Sequence, residues 1–341
     1  MNVAIVILNW NGKDMLRRFL PSVINSSIID GVRVVVADNG SEDGSVTMLK
    51  NEFTDIDVVT LDKNYGFAQG YNIALKQIEA DIYVLLNSDV LIKDREWISP
   101  ILKYMAENLD VAACQPKILS LNNPTSFEYA GAAGGFLDKY AYPFCRGRIF
   151  DSIEDDKGQY DNVLDIMWAS GAALVVRRDD FWNAGAFDET FFAHMEEIDL
   201  CWRIRALGKR IVYVPKSRVF HLGGASLNQG NPRKIYLNFR NNLIMIYNNL
   251  DESSARRVLR IRKWLDFMAA LVFLLKGDRA AYKAVMKARR DFISLLPDLT
   301  NKKLKFNHVH DKVTNPDRCG FSIVWQYYFR WRKTFDKLPF C

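Results

Sequence analysis

Apolar positions in the first third of the chain cluster in short, β-branched runs at residues 3–8, 32–37, 57–61, 82–86 and 111–114. Between them, residues 14–25, 45–53, 67–78 and 98–108 carry apolar side chains at helical spacing. Strand and helix in alternation predict an α/β domain. From 116 to 165 the periodicity fades into Gly, Pro, Asn and aromatic residues, including Ala130-Gly131-Ala132-Ala133-Gly134-Gly135, which predicts loops and short strands. Regular patterning returns as a strand at 172–176, a helix at 196–207 and a strand at 210–214 that Pro215 is expected to stop. Helical spacing then dominates, through 236–249, 254–275 and 279–295, with no internal repeat.

With 341 residues, 49% of them hydrophobic, the chain has ample material for a packed core. Met1-Asn2 leads straight into a strand, so no secretory leader is expected. The five cysteines, Cys114, Cys145, Cys201, Cys319 and Cys341, show no C-x-x-C spacing, which predicts neither a disulfide framework nor a zinc site and suits a reducing cytosol. The net charge of +6 is unevenly spread: 26 Lys and Arg face 31 Asp and Glu up to Leu250, and 20 face 9 beyond it. A basic tail of this kind fits a solvated helical surface or an anionic partner such as a membrane. No RNA-binding signature or zinc-finger spacing points to nucleic acid. The longest apolar run in the tail, 267–275, is well short of the roughly 20 residues that span a bilayer. Arg256, Arg257, Arg260, Arg262, Lys263, Lys276, Arg279, Lys283 and Lys287 surround it, which suits an amphipathic helix pair on anionic lipid; packing onto the rest of the chain or a second subunit is the competing expectation.

Three carboxylate sites carry the candidate chemistry. Asp38 leaves the strand 32–37 into Asn39-Gly40-Ser41, where it either forms an Asx turn or accepts a hydrogen bond from the N–H of a pyrimidine base. Asp89, in Asn87-Ser88-Asp89, follows the strand 82–86; the triplet is either a polar turn or the place where a hard divalent cation meets diphosphate oxygens. Ligands of open α/β sheets bind at such carboxyl ends of strands. The third site is Glu196-Glu197-Ile198-Asp199. Acids suit a first helical turn and Asp199 can pair with Arg203 at i,i+4, yet Glu197 points about 100° away from that side and can enter a cleft as a general base. Between these lie the glycine turn Asn64-Tyr65-Gly66 with Asn72 beyond it, weak evidence of anion binding, and Trp168 before Ser170-Gly171, a sugar-stacking face or a core tryptophan. His221 precedes Gly223, Gly224, Ala225 and Ser226, as a structural histidine or as a ligand beside a phosphate.

The order Asn9-Trp10-Asn11-Gly12, Asp38-Asn39-Gly40-Ser41, Asn64-x-Gly66-Phe67-Ala68, Asn87-Ser88-Asp89, Ser170-Gly171, Glu196-Glu197-x-Asp199-Leu200 and His221 resembles the family 2 inverting glycosyltransferases, especially rhamnosyltransferase-like members, across residues 2–226. The resemblance implies a GT-A fold, a Rossmann-like mixed sheet with flanking helices, over 1–230: a nucleotide-binding half at 1–115, an acceptor half at 116–230, and a basic, mainly helical region at 231–341. It implies a dTDP- or UDP-linked sugar donor, a glycan or lipid-linked acceptor, and Mg²⁺ or Mn²⁺. By position, Asp38 binds the base and Asn9, Asn11, Asn64, Gly66, Asn72, Asn87 and Ser88 line the nucleotide sugar. Asp89 and His221 lie at the metal, Trp168, Ser170 and Gly171 at the acceptor, and Glu197 is the base beside Glu196 and Asp199. Two positions depart from the family pattern: Asn87 replaces the first aspartate of D-x-D, and Glu197 stands where aspartate is usual, which keeps Glu196 as an alternative base. The expected activity is sugar transfer in surface polysaccharide synthesis, in the cytoplasm or at the inner face of the membrane. A noncatalytic sugar-nucleotide-binding subunit is the alternative; a nucleotidyltransferase lacks support, because no Gly-rich, Lys/Arg-bearing triphosphate loop follows the first strand.

Overall fold

The structure is a computed structural model that describes residues 1–223, 230–309, 316 and 318–339. Its first part alternates β1 (Val3–Asn9), α1 (Lys13–Asn25), β2 (Val32–Asn39), α2 (Ser45–Glu52), β3 (Asp57–Leu61), α3 (Gly66–Leu75), β4 (Ile82–Leu86), β5 (Val90–Leu91), α4 (Ser99–Glu107) and β6 (Val111–Ser120). The aperiodic stretch holds β7 (Gly135–Leu137), β8 (Pro143–Cys145), β9 (Arg148–Ile149), β10 (Ser152–Ile153) and β11 (Leu164–Asp165). Then come β12 (Ala173–Arg177), α5 (Arg178–Asn183), α6 (Glu196–Ala206) and β13 (Arg210–His221), and finally α7 (Pro232–Asn249), α8 (Glu252–Leu275), α9 (Arg279–Val309) and α10 (Ile323–Tyr328).

Among the described residues one sheet runs in the order β11, β13, β6, β12, β4, β1, β2, β3, with β5 added against β13. β1 pairs in parallel with both β2 and β4, while β12 runs antiparallel to β4 and β6. Alternation along each strand splits the core between the two faces. Ala4, Val6, Val35, Ala37, Tyr83 and Leu85 meet α3 on one side. Ile5, Ile7, Val34, Val36, Val84 and Leu86 meet α1 and α4 on the other, where Leu16, Leu20 and Val23 form the buried stripe of α1. A second, antiparallel sheet of β10, β9, β8 and β7 packs against the C-terminal segment, where Ile323 N–H donates to the buried Asp138 carboxylate at 2.8 Å.

Three expectations need correction. Pro215 does not stop the strand: β13 continues to His221 through a register shift between Val214 and Arg218, and a bulge tolerates a residue without an N–H. The last long helix runs past 295 through Pro297 to Val309, because Phe292, Leu295, Leu296 and Leu299 keep packing into the core. Cys319 is disulfide-bonded, where the spacing pointed to a reducing cytosol and no disulfide framework, whereas Cys114, Cys145 and Cys201 are buried free thiols.

The C-terminal helices are tied to the rest by a buried charge cluster. Arg262 on α8 donates to Asp266 at 3.1 Å, to Asn242 on α7 and to the Tyr140 carbonyl at 3.2 Å, while the Tyr142 hydroxyl donates to Asp266 at 3.1 Å. Breaking such a pair leaves a buried charge without its partner. Asp266→Ala is therefore expected to cost about 3–5 kcal/mol in urea unfolding, and Asp266→Leu with Arg262→Leu distinctly less. Equal losses in the two variants would show that packing, not the stranded charge, sets the cost.

Candidate active site

The strand ends gather the first residues. β1 lies between β2 and β4, so Asn9, Asp38 and the Asn87-Ser88-Asp89 turn share the carboxyl edge of three adjacent strands. Asn9 donates to Asp38 at 2.9 Å and to the Ser41 hydroxyl at 3.2 Å, and Ser41 N–H donates to Asp38 at 2.9 Å. Asp38 thus caps its own loop through Ser41, three residues on, and the buried carboxylate keeps lone pairs for a further donor. Asn11, at φ +49°, accepts from Glu42 N–H at 2.8 Å while its own N–H donates to Ser41 Oγ at 2.9 Å, which fastens the two loops together. Gly12 links Asn9 to Ser88: a Cβ there would lie 2.5 Å from Asn9 Oδ1 and 3.9 Å from Ser88 Oγ.

Asn64 accepts from Gly66 N–H at 2.8 Å and from Asn39 at 3.2 Å. Gly66 has φ +77°, and a Cβ would meet the Phe192 ring at 2.6 Å, so the start of α3 can approach the 190s loop only without a side chain. Asn72 directs its amide elsewhere, donating to the Phe187 carbonyl at 2.9 Å and accepting Phe187 N–H at 3.1 Å.

Extension of β13 brings His221 opposite Val90, immediately beside Asp89. His221 Nε2 lies 3.0 Å from Asp89 Oδ1 and 3.3 Å from the Asn87 amide, and Nδ1 lies 3.3 Å from Glu128 Oε1. Burial alone would lower the imidazolium pKa, but the hydrogen bonds to Asp89 and Glu128 outweigh it and push His221 up to about 10. Glu128 was not legible in the sequence, since it sits in the stretch without periodicity. Gly224, Ala225 and Ser226 lie outside the described residues.

The third site opens α6. Asp199 is fully buried; Arg203 donates to it at 2.9 Å and Asn249 of α7 at 2.6 Å, so the expected i,i+4 pair anchors the helix. Glu197 is partly exposed and flanks Gly171, whose own Cβ position lies 3.7 Å from Glu197 Cγ and 3.5 Å from Phe67. Glu196 is buried. Among the described residues one carboxylate oxygen of each, Oε2, has no hydrogen-bond partner. Burial raises both carboxyl pKa values above the ordinary range, and Glu197 raises Glu196 further by like-charge repulsion. Asn87 N–H donates to the Ala172 carbonyl at 3.1 Å, so the Gly171-Ala172 turn joins Glu197 to the Asp89 side of the crevice.

Ser170 is buried; its hydroxyl donates to the Ala130 carbonyl and its backbone N–H donates to Gln115 Oε1 at 2.8 Å. Trp168 is a core tryptophan: it is buried against Gly135 and its ring N–H donates to the Phe136 carbonyl at 3.0 Å. Of the three residues expected at the acceptor, Trp168 and Ser170 are buried and Gly171 is partly exposed.

What holds α6 in place lies further along the chain. Phe192, His194 and Met195 have φ values of +57°, +69° and +76°, a strained entry to the helix. Asn241 of α7, fully buried, donates to the carbonyls of Phe191, Ala193 and His194 at 3.0, 2.8 and 2.7 Å, and its own oxygen accepts Arg240 at 2.7 Å. The available signal was polar Asn241-Asn242 inside an otherwise apolar helix face.

Residues 4–152 match the family described as Glycosyl transferase family 2. The chain carries a family 2 glycosyltransferase domain. It is 25% identical over 226 residues to the rhamnosyltransferase WbbL of Escherichia coli K12, covering 64% of this chain and 83% of that one. It is 25% identical over 237 residues to the N-acetylglucosaminyl-diphospho-decaprenol L-rhamnosyltransferase of Mycobacterium tuberculosis, covering 64% and 75%. Against the O-antigen biosynthesis protein RfbC of Myxococcus xanthus it is 24% identical over 66% of this chain but spans only 17% of that much longer protein. The fold is similar to GalNAc-T7 solved with UDP, GalNAc and Mn²⁺ (TM-score 0.61, 17% identity, 97% of this chain and 57% of that one). It is similar also to Staphylococcus aureus TarS 1–349 with UDP-GlcNAc (TM-score 0.56, 16% identity, 98% and 93%). The architecture is of the GT-A type, a mixed α/β sheet with flanking helices and a largely helical C-terminal part.

Because Asn241 supplies both amide hydrogens to the strained loop, Asn241→Ala should destabilise the protein by about 1–3 kcal/mol in denaturant unfolding, the cost of stranding buried carbonyls. Unchanged stability would mean that water or the loop itself replaces the amide.

Proposed function

We propose that this protein moves a sugar, rhamnose or a similar residue, from a dTDP- or UDP-linked donor to a hydroxyl of a glycan or lipid-linked acceptor, with inversion, in surface polysaccharide synthesis at the cytoplasmic side. The observation that carries this reading is Glu197: a carboxylate beside Gly171 whose Oε2 is buried without a hydrogen-bond partner and whose pKa burial raises, across the Gly171-Ala172 turn from the Asp89–His221 pair. Glu197 takes the proton of the acceptor hydroxyl; that oxygen attacks the anomeric carbon from the face opposite the nucleotide, and the bond to the diphosphate breaks with its electron pair leaving on the nucleoside diphosphate. Glu196, buried behind it, keeps the pocket poorly solvated, and Asp199 fixes the helix. Asp38 receives the N–H of the base, Asn9, Asn11, Asn64, Gly66, Asn87 and Ser88 shape the nucleotide side, and Asn72, Trp168 and Ser170 hold the walls. In this reading residues 1–230 are the catalytic part and 231–341 support it.

Mg²⁺ or Mn²⁺ suits the Asp89–His221 pair. Asp89 would hold the ion through its carboxylate, and His221, 3.0 Å from it, would join only as the neutral imidazole, giving up its hydrogen bond to Asp89. Among the described residues no group of three or more His, Cys, Asp or Glu side chains is arranged to hold a metal, so diphosphate and water would complete the shell. Bound there, the ion supplies Lewis-acid stabilisation of the leaving diphosphate.

A screen of dTDP- and UDP-sugars for release of nucleoside diphosphate without pyrophosphate tests the class of reaction. In that assay Asp89→Ala should retain the fold and lose metal-dependent turnover; turnover with unchanged Mn²⁺ dependence would remove Asp89 from the metal. Glu197→Gln should bind donor nearly normally and transfer about 10²-fold more slowly or worse. The same pattern in Glu196→Gln would exchange the two roles. A base must be unprotonated and Glu197 holds its proton to higher pH than an ordinary carboxylate, so kcat/KM should fall with acidification through a limb above the usual glutamate range of about 4.3. A limb at the ordinary value would place the base elsewhere.

A further inference from the structure

Helix α8 is turned inside out. Its inner face carries the ion pair Arg262–Asp266, at 1% and 2% exposure, beside Ala255 and Ala270. Its outer face exposes Trp264 at 64%, Met268 at 57% and Leu275 at 87%, together with Phe267 and Val272. At 100° per residue Arg257, Arg260, Trp264, Phe267, Met268, Leu271, Val272 and Leu275 fall within one half of the helix, and Arg262, Asp266 and Ala270 fall within the other. The outer stripe therefore begins basic, with Arg256 and Lys263 at its edge, turns apolar for its second half, and ends at Lys276. Between Ser253 and Gly277 the sole acid is Asp266, and it is buried. Beside the basic end opens a cavity of about 740 Å³ lined by Asp251, Glu252, Ser253, Arg256, Arg257 and Arg260.

A contiguous exposed apolar stripe on a helix that buries its ions calls for a covering surface. We propose that the outer face of α8 docks this protein on an anionic lipid bilayer, lying in the interface plane with Trp264, Met268, Val272 and Leu275 among the acyl chains and the arginines at the headgroup phosphates. Charge complementarity selects this occupant: the rim is cationic without an exposed acid in the stripe, which would repel a second copy of the same face. Docking replaces any need for a span, since no described helix is long and apolar enough to cross a membrane. It also removes Arg262 from the cations expected to meet lipid, because that side chain is spent on Asp266.

Cosedimentation of the full chain with vesicles of phosphatidylcholine alone, or mixed with phosphatidylglycerol, tests this. Binding should require phosphatidylglycerol and weaken as salt rises. Arg257→Gln, Arg260→Gln and Lys263→Gln together should weaken it by about 10²-fold. Trp264→Gln with Met268→Gln and Leu275→Gln should weaken it at least about tenfold, with an unchanged circular dichroism spectrum because all three positions are exposed. Brominated acyl chains should quench tryptophan fluorescence in the parent and clearly less in Trp264→Phe. Equal binding to both vesicle types, binding to neither, or a concentration-dependent dimer that the apolar triple variant abolishes would each overturn the proposal.

Discussion

The site depends on one constraint, the place of β1 between two parallel neighbours. Parallel pairing aligns the carboxyl ends of β1, β2 and β4, so the residues at those ends share one edge of the sheet, the crevice where ligands of open α/β sheets bind. Residues far apart in sequence, Asn9, Asp38 and Asp89, reach that crevice because each directly ends or follows a strand whose position the core has already determined.

The opposite wall is built under strain and held from α7. The entry to α6 turns through three non-glycine residues at positive φ, which persist only when their surroundings over-determine them. Asn241 provides that determination at the Phe191, Ala193 and His194 carbonyls, and Arg240 donates beside it to the Thr190 carbonyl. Burial raises the carboxyl pKa values of Glu196 and Glu197, and the backbone N–H groups that Glu197 accepts offset this only in part. A poorly solvated carboxyl with a raised pKa is the state a general base at neutral pH requires.

The C-terminal helices serve both walls. Through α7 they brace the α6 entry, and through the Arg262–Asp266 cluster they are joined to the 140s loop and hence to the small sheet. Buried charge makes this junction specific rather than strong, since an ion pair away from water recovers little beyond its desolvation cost. With its charges turned inward, α8 leaves its apolar residues facing out, which gives the proposed lipid contact a fixed orientation relative to the crevice.

Much of the strand-end cluster was legible from the chain alone. Apolar runs ending in Asn9, Asp38 and Asn87-Ser88-Asp89 follow from the period of a strand and the chemistry of turn residues, both local properties, and the Asp199–Arg203 pair follows from helical spacing. Local signals misled where a neighbouring element overrode them. Pro215 reads as a strand end, yet a bulge against β6 carries β13 on to His221 and so sets that histidine beside Asp89. Trp168 and Asn72 read as candidate contacts for a ligand, yet the Phe136 carbonyl and the Phe187 main chain claim them. Glu128 and Asn241 carried almost no signal, because their partners lie across strands and helices that only folding brings together. The sequence by itself determined which residues end each strand and which face of each helix is apolar; tertiary structure decided which polar groups meet, since hydrogen bonds form over about 3 Å and no local pattern specifies contacts between segments a hundred residues apart.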